Sequence, residues 1–425
     1  MYDKRILVCS ISAWNKKTGS DTFSSLMDTY GAEKVANVYF SESAPDSPVC
    51  GRYFRISENS VVKSLLKRSI KTGSEVIVDT SEDDNTENER ITAARYKRFS
   101  GKRNYVLLLA REMIWKMGRW KTPELLAFVD DFKPDVVFFS MEGYIYHNRV
   151  CRYILKRTGA RGVGYFWDDN FTYKQSRRFM HNVYRFFQRK SLKKTAKLCQ
   201  EFFAISPKTK AEADAYFKID CQLLTKPVAI DPNGFVAYQP HKPIKMLYTG
   251  KLVIGRLETV MEIGRALDEI NRDSVKMELD VYTTTELNEE QQKTMSPYVH
   301  LLGAIPQNEV AAKQEAADVL LFAEAISGEH SKTARLSFST KLTDYFRAGK
   351  CILAVGDRET APMEYLIEND AAFVAWDRES ILKCLLCIQE KPTLVSEYAE
   401  RAYRCGVMNH EATTIKKRLF DTLNG

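Results

Sequence analysis

The sequence lacks any apolar segment of the length that a transmembrane helix needs, which is about 20 consecutive residues. One short apolar stretch, 6–14, follows two basic residues near the N-terminus. Asp3 precedes this stretch, and polar residues 15–20 follow it where a signal peptide would carry small residues and a cleavage site. We therefore expect neither a membrane-spanning helix nor a secretory signal, and we predict a cytoplasmic protein.

Cysteine is sparse, with nine residues scattered through 425. An odd and scattered set fits reduced thiols and does not indicate a disulfide framework. The single CxxC, at Cys384 and Cys387, has no second pair and lies in an apolar helical segment, which favours packing over metal binding. The sequence therefore predicts no metal site.

Acidic residues are scarce in the first half of the chain. Residues 1–230 contain 40 lysines and arginines against 26 acidic residues, whereas the remainder contains 23 against 29. A basic half of this kind suits an anionic partner, either nucleic acid or a membrane surface. No recognised nucleic-acid-binding motif is present, so we expect no nucleic-acid partner.

Short apolar runs alternate with helix-type patterns along the whole chain. “KPDVVFFS” (133–140) and “EFFAIS” (201–206) are typical of buried parallel strands, and a second alternating series begins at “KMLYTG”. This alternation predicts two doubly wound α/β domains with a cleft between them, where ligands bind at the carboxyl ends of strands. The expected division is an N-terminal domain at 1–235, a linker at 236–243, a C-terminal domain at 244–405 and a helix at 406–425 that crosses back to the first domain.

Two cations follow the first strand of the second series. Lys251 comes directly after “YTG”, and Arg256 lies five residues further on. Two cations just beyond a strand end suit a diphosphate, whose charge must be neutralised as it leaves. Two solvated cations on a loop are the alternative interpretation.

The stretch “FSTKLTDYFRAGKCILAVGD” (338–357) reads as a loop, a helix, a glycine stop and a strand. Ser339, Thr340 and Lys341 lie where free backbone N–H groups open the helix, so they could hold an anion. Asp344 follows one turn later and could accept hydrogen bonds from ribose hydroxyls. The alternative is an ordinary N-cap with an ion pair between residues three apart.

The order of these motifs resembles that of family-four glycosyltransferases. “YTGKL…R”, “VHLLGAIPQNEVAAKQEAADVLLFAE”, “FSTKLTDYFRAGKCILAVGD” and “PMEYLIENDAAFVAW” follow the order seen in the nucleotide-sugar domain of that family. In the N-terminal half, “ILVCSISAWNKKTGSDTF”, “KPDVVFFSMEG” and “VGYFWDD” do so as well. The resemblance implies the GT-B architecture, in which two Rossmann-like domains face each other across a cleft. It also implies transfer of a sugar from a nucleoside diphosphate to an acceptor hydroxyl, with no further cofactor.

The resemblance implies a role for each matching residue. Lys251 and Arg256 match the family's diphosphate-binding Arg and Lys, with the two residue types exchanged. Asp344 matches the second glutamate of an E-x7-E pattern, which binds ribose. The expected donor-binding set also includes Gly19 and Ser20 in an N-terminal loop that closes over the donor, Gly250 before Lys251, the phosphate loop of Ser339, Thr340 and Lys341, and Glu329.

Two positions depart from the family pattern. Leu336 stands where the first glutamate of E-x7-E is expected, and Glu329 or Glu324 could replace that glutamate if the loop carries an insertion. The family's sugar-contacting histidine would fall near Met141, and Glu142 follows it. The donor half of the sequence therefore matches the family better than the catalytic half.

Carboxylates stand where the histidine is missing. Glu142, Asp168 and Asp169 follow predicted strand ends, and Glu142 and Asp168 are our candidate catalytic residues. Either could act as general base on the acceptor hydroxyl, as inverting enzymes require, or could bind sugar hydroxyls or begin a helix. The stereochemistry of transfer stays open.

Residues 173–200 contain nine cations and no acidic residue. On a helix at about 100° per residue, an aromatic face and a basic face result, which suits a helix in an anionic membrane interface. In the alternative, the aromatic face packs on the sheet and the basic face is solvated. The residues assigned to the membrane are Arg177, Arg178, Phe179, Val183, Arg185, Phe186 and Arg189.

The sequence therefore predicts a glycosyltransferase that is peripheral on the inner face of the plasma membrane. It would pass a sugar from a nucleotide sugar to a glycan acceptor, expected to be lipid-linked, in polysaccharide or cell-wall glycan assembly. A nucleotide-sugar epimerase or hydrolase is one alternative. A non-catalytic subunit that scaffolds a glycosylation complex is the other.

Overall fold

The computed structural model describes residues 2–15, 22–78 and 105–425. Its described residues form two compact units. The first unit holds the chain up to Ile205 together with 209–224 and 416–425, and the second holds 206–208 and 225–415. The chain enters the second unit ahead of the expected linker, because Val228 and Ile230 pack against Tyr403 within that unit.

The first unit is built on an eight-stranded sheet. Its strands are β1 (Ile6–Cys9), β2 (Val35–Tyr39), β3 (Arg52–Ile56), β4 (Gly73–Val76), β5 (Val136–Ser140), β6 (Arg161–Phe166), β7 (Glu201–Ala204) and β8 (Cys221–Leu223). They lie in the order β4-β3-β2-β1-β5-β6-β7-β8, and only the edge strand β4 is antiparallel to its neighbour. The direction of strand order reverses between β1 and β5.

Helices connect these strands. They are α1 (Thr22–Met27), α2 (Glu58–Ser64), α3 (Tyr105–Met117), α4 (Pro123–Phe132), α5 (Ile145–Thr158), α6 (Phe179–Ala196) and α7 (Pro207–Phe217). The α4 helix begins with Thr122 accepting a hydrogen bond from the Leu125 N–H, followed by proline in its first turn. The α5 helix ends at Gly159, whose φ of 67° is the left-handed conformation that glycine adopts readily.

The second unit is built on a six-stranded parallel sheet. Its strands are β9 (Ile244–Thr249), β10 (Met277–Tyr282), β11 (Val299–Gly303), β12 (Val319–Ala323), β13 (Cys351–Val355) and β14 (Phe373–Ala375). They lie in the order β11-β10-β9-β12-β13-β14, which is the Rossmann order, and strand order reverses between β9 and β12. The prediction of two Rossmann-like doubly wound domains is confirmed.

The helices of the second part of the chain follow the same alternation. They are α8 (Arg256–Ile270), α9 (Glu289–Lys293), α10 (Gln307–Ala316), α11 (Gly328–Ala334), α12 (Lys341–Ala348), α13 (Ala361–Glu368), α14 (Arg378–Glu390), α15 (Pro392–His410) and α16 (Ala412–Asn424), the last ending in the first unit. None of the helices within the described residues has both the length and the hydropathy that crossing a bilayer requires.

The central strands of each sheet are buried on both faces, which explains their continuously apolar sequences. Every residue of β1 and of β13 is buried, and the central strands β5 and β12 are buried throughout. Helices cover both faces of such a sheet, so polar side chains reach solvent mainly beyond the strand ends. The loops that follow β1, β5, β9 and β12 are therefore the places where each unit can present chemistry.

Candidate functional site

An ion pair lies at the reversal point of the second sheet. Arg256 begins α8 after β9, and Glu324 directly follows β12. The guanidinium donates from Nε to Oε2 at 3.2 Å and from Nη2 to Oε1 at 2.8 Å. Desolvation is the largest single influence on the pKa of Arg256 and lowers it, but the charge of Glu324, its hydrogen bonds and the neighbouring tyrosines together raise this pKa above its ordinary value. Arg256 is thus held by a buried carboxylate. The negative charge of Glu324 partly neutralises the guanidinium before any ligand binds.

Lys341 brings a second cation to the same place from the first turn of α12. Its ammonium lies 4.6 Å from the centre of the Tyr248 ring and 3.4 Å from the Tyr248 hydroxyl. Burial lowers the pKa of Lys341 to about 8, repulsion from Arg256 adds to that effect, and Glu324 opposes it. A dianionic ligand would relieve both the desolvation and the repulsion, so this ammonium is a candidate anion contact.

Gly250 makes the approach of Lys341 possible. Its φ of 136° lies in a region that residues with a side chain rarely adopt. A Cβ at this position would lie 2.1 Å from the Lys341 Nζ. The backbone conformation therefore favours glycine after β9, and a side chain at this position would move the Lys341 ammonium from its present place.

Lys251 and the rest of its loop lie at the surface beyond this cluster. The Lys251 side chain is exposed, and its carbonyl accepts a hydrogen bond from the Tyr248 hydroxyl at 3.0 Å. The Leu252 N–H donates to the Thr285 hydroxyl at 2.9 Å, which ties the loop to the end of β10. The Lys251 backbone is therefore joined to the Tyr248 hydroxyl that Lys341 also contacts, and the Lys251 side chain is exposed.

The start of α12 carries Ser339 and Thr340, as the sequence predicts. Both residues are partly exposed, and no side chain caps the helix N-terminus. The Leu342 N–H donates to the Ser339 carbonyl at 3.2 Å, and the Thr343 hydroxyl donates to the Thr340 carbonyl at 2.7 Å. The Leu342 amide is thus already used, and what marks this helix start as a candidate anion site is its lack of a side-chain cap next to Lys341.

Asp344 has a partner that the sequence did not suggest. Its Oδ1 lies 3.4 Å from the Lys226 Nζ, and Lys226 belongs to the segment that follows β8. Both residues lie within the second unit. Since the two positions are far apart in sequence, no local pattern could have revealed the pair.

The two candidate replacements for the missing glutamate have different surroundings. Glu324 is buried and occupied by Arg256, whereas Glu329 is exposed in the first turn of α11. Leu336 is completely buried, so it belongs to the core. The sugar-binding glutamate of the family therefore has no direct substitute at Leu336, and Glu329 is the exposed candidate.

A cavity of about 400 Å³ opens beside the cation loop. It lies beyond the carboxyl ends of β10 and β11, and it includes Thr285, the residue that holds the Leu252 N–H. Its walls combine hydroxyl, carboxylate and amide groups with apolar side chains. The lining residues are Thr283, Thr285, Glu286, Leu287, Gln292, Leu301 and Gly303.

In the first unit, Glu142 follows β5 at the reversal point of the sheet. The Ser140 hydroxyl donates to its Oε1 at 2.8 Å, and the Trp167 indole N–H is a second donor. The residue is partly exposed, but protein atoms surround its carboxyl group. Burial raises the pKa of Glu142 to about 7, the bond from Ser140 works against this rise, and the charge of Asp168 adds to it.

The two aspartates after β6 have different surroundings. Asp169 is buried and accepts hydrogen bonds from the Thr172 N–H at 3.0 Å and from the Thr172 hydroxyl at 2.5 Å, so it fixes a turn. Asp168 is partly exposed, and its Oδ1 accepts from the Asp169 N–H at 2.8 Å. Of the two aspartates, Asp168 is the one whose charge acts on Glu142.

Buried side chains from three helices hold the loop after Glu142. Asn148 donates to the Glu142 carbonyl at 2.7 Å, and Gln188 donates to the Gly143 carbonyl at 2.6 Å. Glu112 on α3 accepts from the Ile145 N–H at 2.9 Å, and burial raises its pKa to about 7. The sequence does not predict these roles, because a polar side chain inside a helical pattern gives no sign of the loop that it reaches.

Gly19 and Ser20 lie outside the described residues. Within the described residues, no group of three or more His, Cys, Asp or Glu side chains could hold a metal ion.

Comparison with solved structures decides the fold. The chain is similar to the crystal structure of Anabaena HepE in complex with UDP over 99% of both chains, with a TM-score of 0.62 and 10% sequence identity. It matches trehalose 6-phosphate synthase from Burkholderia multivorans with a TM-score of 0.62, over 99% of this chain and 98% of the other at 10% identity. It matches sucrose-phosphate synthase from Thermosynechococcus elongatus with a TM-score of 0.60 at the same coverage and identity.

The chain has the GT-B fold. This confirms the architecture that the motif order implied. At about one identical residue in ten, the similarity shows the fold alone. A comparison of the sequence with models of protein families gives no match, and neither does a comparison with curated proteins.

One part of this GT-B chain differs from the expectation based on helical periodicity. Arg185, assigned to the lipid-facing side of α6, is buried at 3% exposure and hydrogen-bonds to Gln175. Arg189 donates to the Phe171 carbonyl and stacks over the Tyr216 ring at 4.1 Å. Phe179 and Phe186 are exposed instead. The assignment of Arg185 was wrong, because periodicity defines two faces of a helix but not which of them packs inward.

Proposed function

We propose that this chain is a glycosyltransferase of the family-four type. It moves a sugar from a nucleoside diphosphate sugar to a hydroxyl of a glycan acceptor. The observation that carries the proposal is the cluster of Gly250, Arg256 and Lys341 at the reversal point of the second sheet, beside an uncapped helix start. The GT-B fold supports it, and so does the UDP bound by Anabaena HepE, the first of the similar structures above.

In this proposal the second unit binds the donor. Lys251, Lys341 and the first amides of α12 hold the diphosphate, and Arg256 contributes within its pair with Glu324. Positive groups there stabilise the charge that grows on the leaving diphosphate as the glycosidic bond breaks. The Asp344 carboxylate accepts hydrogen bonds from the ribose hydroxyls, either after its ion pair with Lys226 breaks or while that pair persists. The 400 Å³ cavity beside the loop accommodates the nucleoside.

The first unit supplies the base. Glu142 takes the proton of the acceptor hydroxyl as its oxygen forms a bond to the anomeric carbon, and the nucleoside diphosphate leaves with the electron pair of the broken bond. A carboxyl group with a pKa of about 7 is half ionised at neutral pH, which suits this task. Asp168 acts by keeping that pKa high.

We further propose a lipid-linked acceptor in polysaccharide or cell-wall glycan assembly, with the protein in the cytoplasm. The excess of positive charge in residues 1–230 supports an acceptor presented on an anionic surface.

A non-catalytic scaffolding subunit is the second candidate. The buried Leu336 favours it, because a glutamate that would contact the donor sugar is absent from that position. An epimerase or hydrolase would also use the donor cluster, but it would need no acceptor.

Calorimetric titration with uridine, guanosine and adenosine diphosphates tests the donor site. We expect one of them to bind, and we expect Lys341→Met to weaken that binding by about ten-fold or more, the usual contribution of a charge-assisted hydrogen bond. Lys383→Met is the matched control, since it removes an exposed cation from α14 in the same unit. If no nucleotide binds, the enzyme proposal is wrong.

An assay with labelled nucleotide sugar and a membrane extract then separates the candidates. Label that appears in a lipid or glycan fraction supports the transferase. Free sugar formed without acceptor indicates a hydrolase, a changed nucleotide sugar indicates an epimerase, and binding without any turnover indicates the scaffolding subunit.

A further inference from the structure

The α6 helix presents one exposed face with two chemically different halves. In its first half the exposed side chains are Phe179, Phe186 and Phe187, which are 78%, 55% and 45% exposed, and Val183 between them is partly exposed. In its second half the exposed side chains on the same helical stripe are Lys190, Lys193, Lys194 and Lys197. The phenylalanines and lysines therefore share a face, instead of lying on opposite faces.

The opposite face of α6 accounts for the packing of the helix. Tyr184, Gln188 and Leu192 are buried there, and α6 packs on α3 and α5. The phenylalanines are therefore not needed to attach the helix to its unit. This excludes the interpretation in which the aromatic face of the helix covers the sheet.

Among the described residues, the lysines of the exposed face have no acidic partner. Residues 173–200 contain no Asp or Glu, and no ion pair within the described parts of the chain involves Lys190, Lys194 or Lys197. Lys193 lies 4.5 Å from the Tyr216 ring, an interaction that leaves its charge in place. No acidic side chain of the described ranges 2–15, 22–78 and 105–425 thus balances the positive charge that this face carries next to its exposed aromatic rings.

We propose that this face of α6 docks on an anionic lipid bilayer. The helix lies along the membrane surface with the phenylalanine rings below the phosphate level and the lysine ammonium groups among the headgroups. Apolar burial and attraction to anionic lipid then add on one surface. Docking requires no nucleotide, so it is independent of the proposed glycosyl transfer.

The neighbouring helix and the ring geometry favour a bilayer over a nucleic acid. The α3 helix exposes Met113 and Met117 at 51% and 62%, and these flexible apolar side chains offer no flat surface for stacking bases. Phe186 and Phe187 meet edge to face at 77°, so they do not form a shared stacking platform.

Flotation of the full chain in a density gradient tests the proposal. Vesicles of phosphatidylcholine alone are compared with vesicles that also contain phosphatidylglycerol. We expect flotation only with the anionic lipid. Each lysine near an anionic surface contributes about five-fold to the partition coefficient, so Lys190→Glu with Lys194→Glu should lower it by about 25-fold or more. Phe186→Ser with Phe187→Ser should lower it by about ten-fold or more.

Matched substitutions in the second unit serve as controls. Arg272→Glu with Lys383→Glu makes the same charge change at exposed positions, and Val275→Ser with Met408→Ser removes exposed apolar side chains. Neither control should change flotation. All of these variants alter surface positions, and circular dichroism checks that they fold.

A Phe186→Trp variant reports the depth of the ring. Its added fluorescence should be quenched by lipids brominated in the acyl chain, which would place the side chain below the headgroups. Flotation that ignores lipid charge, or that survives either α6 double substitution, overturns the proposal. So does absence of flotation together with binding to a single-stranded oligonucleotide that the lysine substitutions abolish, which would identify a nucleic-acid surface.

Discussion

The two sheets of this protein use the same topological position for opposite chemistry. At the reversal point of the second sheet, Arg256 and Lys341 gather positive charge beside a helix start. At the reversal point of the first sheet lies the carboxyl group of Glu142, and Asp168 follows the neighbouring strand β6. Burial raises the pKa of Glu142 to about 7, and the charge of Asp168 adds to this rise. Fold therefore determines where chemistry can occur, and the residues at the strand ends determine which chemistry it is.

The two sites also differ in how they are held in place. The cations of the second sheet are held by close packing around a glycine and by the buried carboxylate of Glu324. The Glu142 loop is held through its backbone, by the buried side chains of Glu112, Asn148 and Gln188. Substitutions at the two sites should consequently impair different properties of the protein. Four predictions follow from this difference, from the largest effect to the smallest.

Replacing the proposed base should have the largest effect. We expect Glu142→Gln to lower kcat by about 10²–10⁴-fold while nucleotide affinity is unchanged, because general base catalysis typically contributes that much. Wild-type activity should rise with pH through a midpoint near 7, since Glu142 must be ionised to accept a proton. Asp168→Asn should move this midpoint to lower pH. An unchanged kcat in Glu142→Gln would show that Glu142 is not the general base.

Replacing Gly250 should disrupt the cation cluster of the second unit and leave the Glu142 site of the first unit unchanged. We expect Gly250→Ala to weaken binding of the nucleoside diphosphate by about 100-fold, because a Cβ would collide with Lys341 and the backbone conformation would be strained by about 1–3 kcal/mol. Calorimetric titration measures the affinity. Gly159→Ala is the control: this glycine also has positive φ, but nothing lies near its added Cβ. The control should lose stability and keep its nucleotide affinity.

Glu112 should make the first unit sensitive to pH. Burial raises the folded-state pKa of Glu112 to about 7, above its ordinary value of 4.5. The folded state therefore retains its proton more strongly, and this contribution to stability is lost as pH rises from about 4.5 through 7. We expect Glu112→Gln to remove up to about 3 kcal/mol of pH dependence from the free energy of unfolding.

Urea unfolding of wild type and Glu112→Gln at a series of pH values measures this difference. His147 and His410 are buried with pKa values lowered to about 4, so they change stability in the opposite direction over the same range. Both histidines remain in the variant, so subtraction of the two curves isolates Glu112. Parallel curves would show that its carboxyl group is not perturbed in the folded state.

The sequence predicted the positions of the candidate groups better than their partners. Lys251, Arg256 and Glu142 could be placed beyond strand ends because a buried parallel strand is a local apolar run. The pairing of Arg256 with Glu324 joins residues 68 positions apart, and that of Asp344 with Lys226 joins residues 118 apart. Such contacts depend on which strands become neighbours, and strand order is not a local property.

The error at Arg185 has a related cause. Helical periodicity separates the side chains of α6 into faces, and Arg185 was assigned to the membrane surface with the other cations because of its residue type alone. In the structure Gln175 provides a polar contact for the buried guanidinium, and Phe186 is left at the surface. A buried polar group needs a partner, and that partner comes from a different element.

Breaking the Lys226 pair should give the smallest effect and still sharpen the comparison. The Asp344 side chain is 38% exposed, so we expect Lys226→Met to change the free energy of unfolding by no more than about 1 kcal/mol. If Asp344 binds ribose, the released carboxylate should improve the preference for a ribonucleotide over the 2′-deoxy form. Calorimetric titration of both forms against wild type and Lys226→Met measures this preference. If the preference is the same in wild type, Lys226→Met and Asp344→Asn, then Asp344 does not bind ribose. The carboxylate would then act only as the partner of Lys226, and the proposed nucleotide contacts of the second site would be those to the diphosphate.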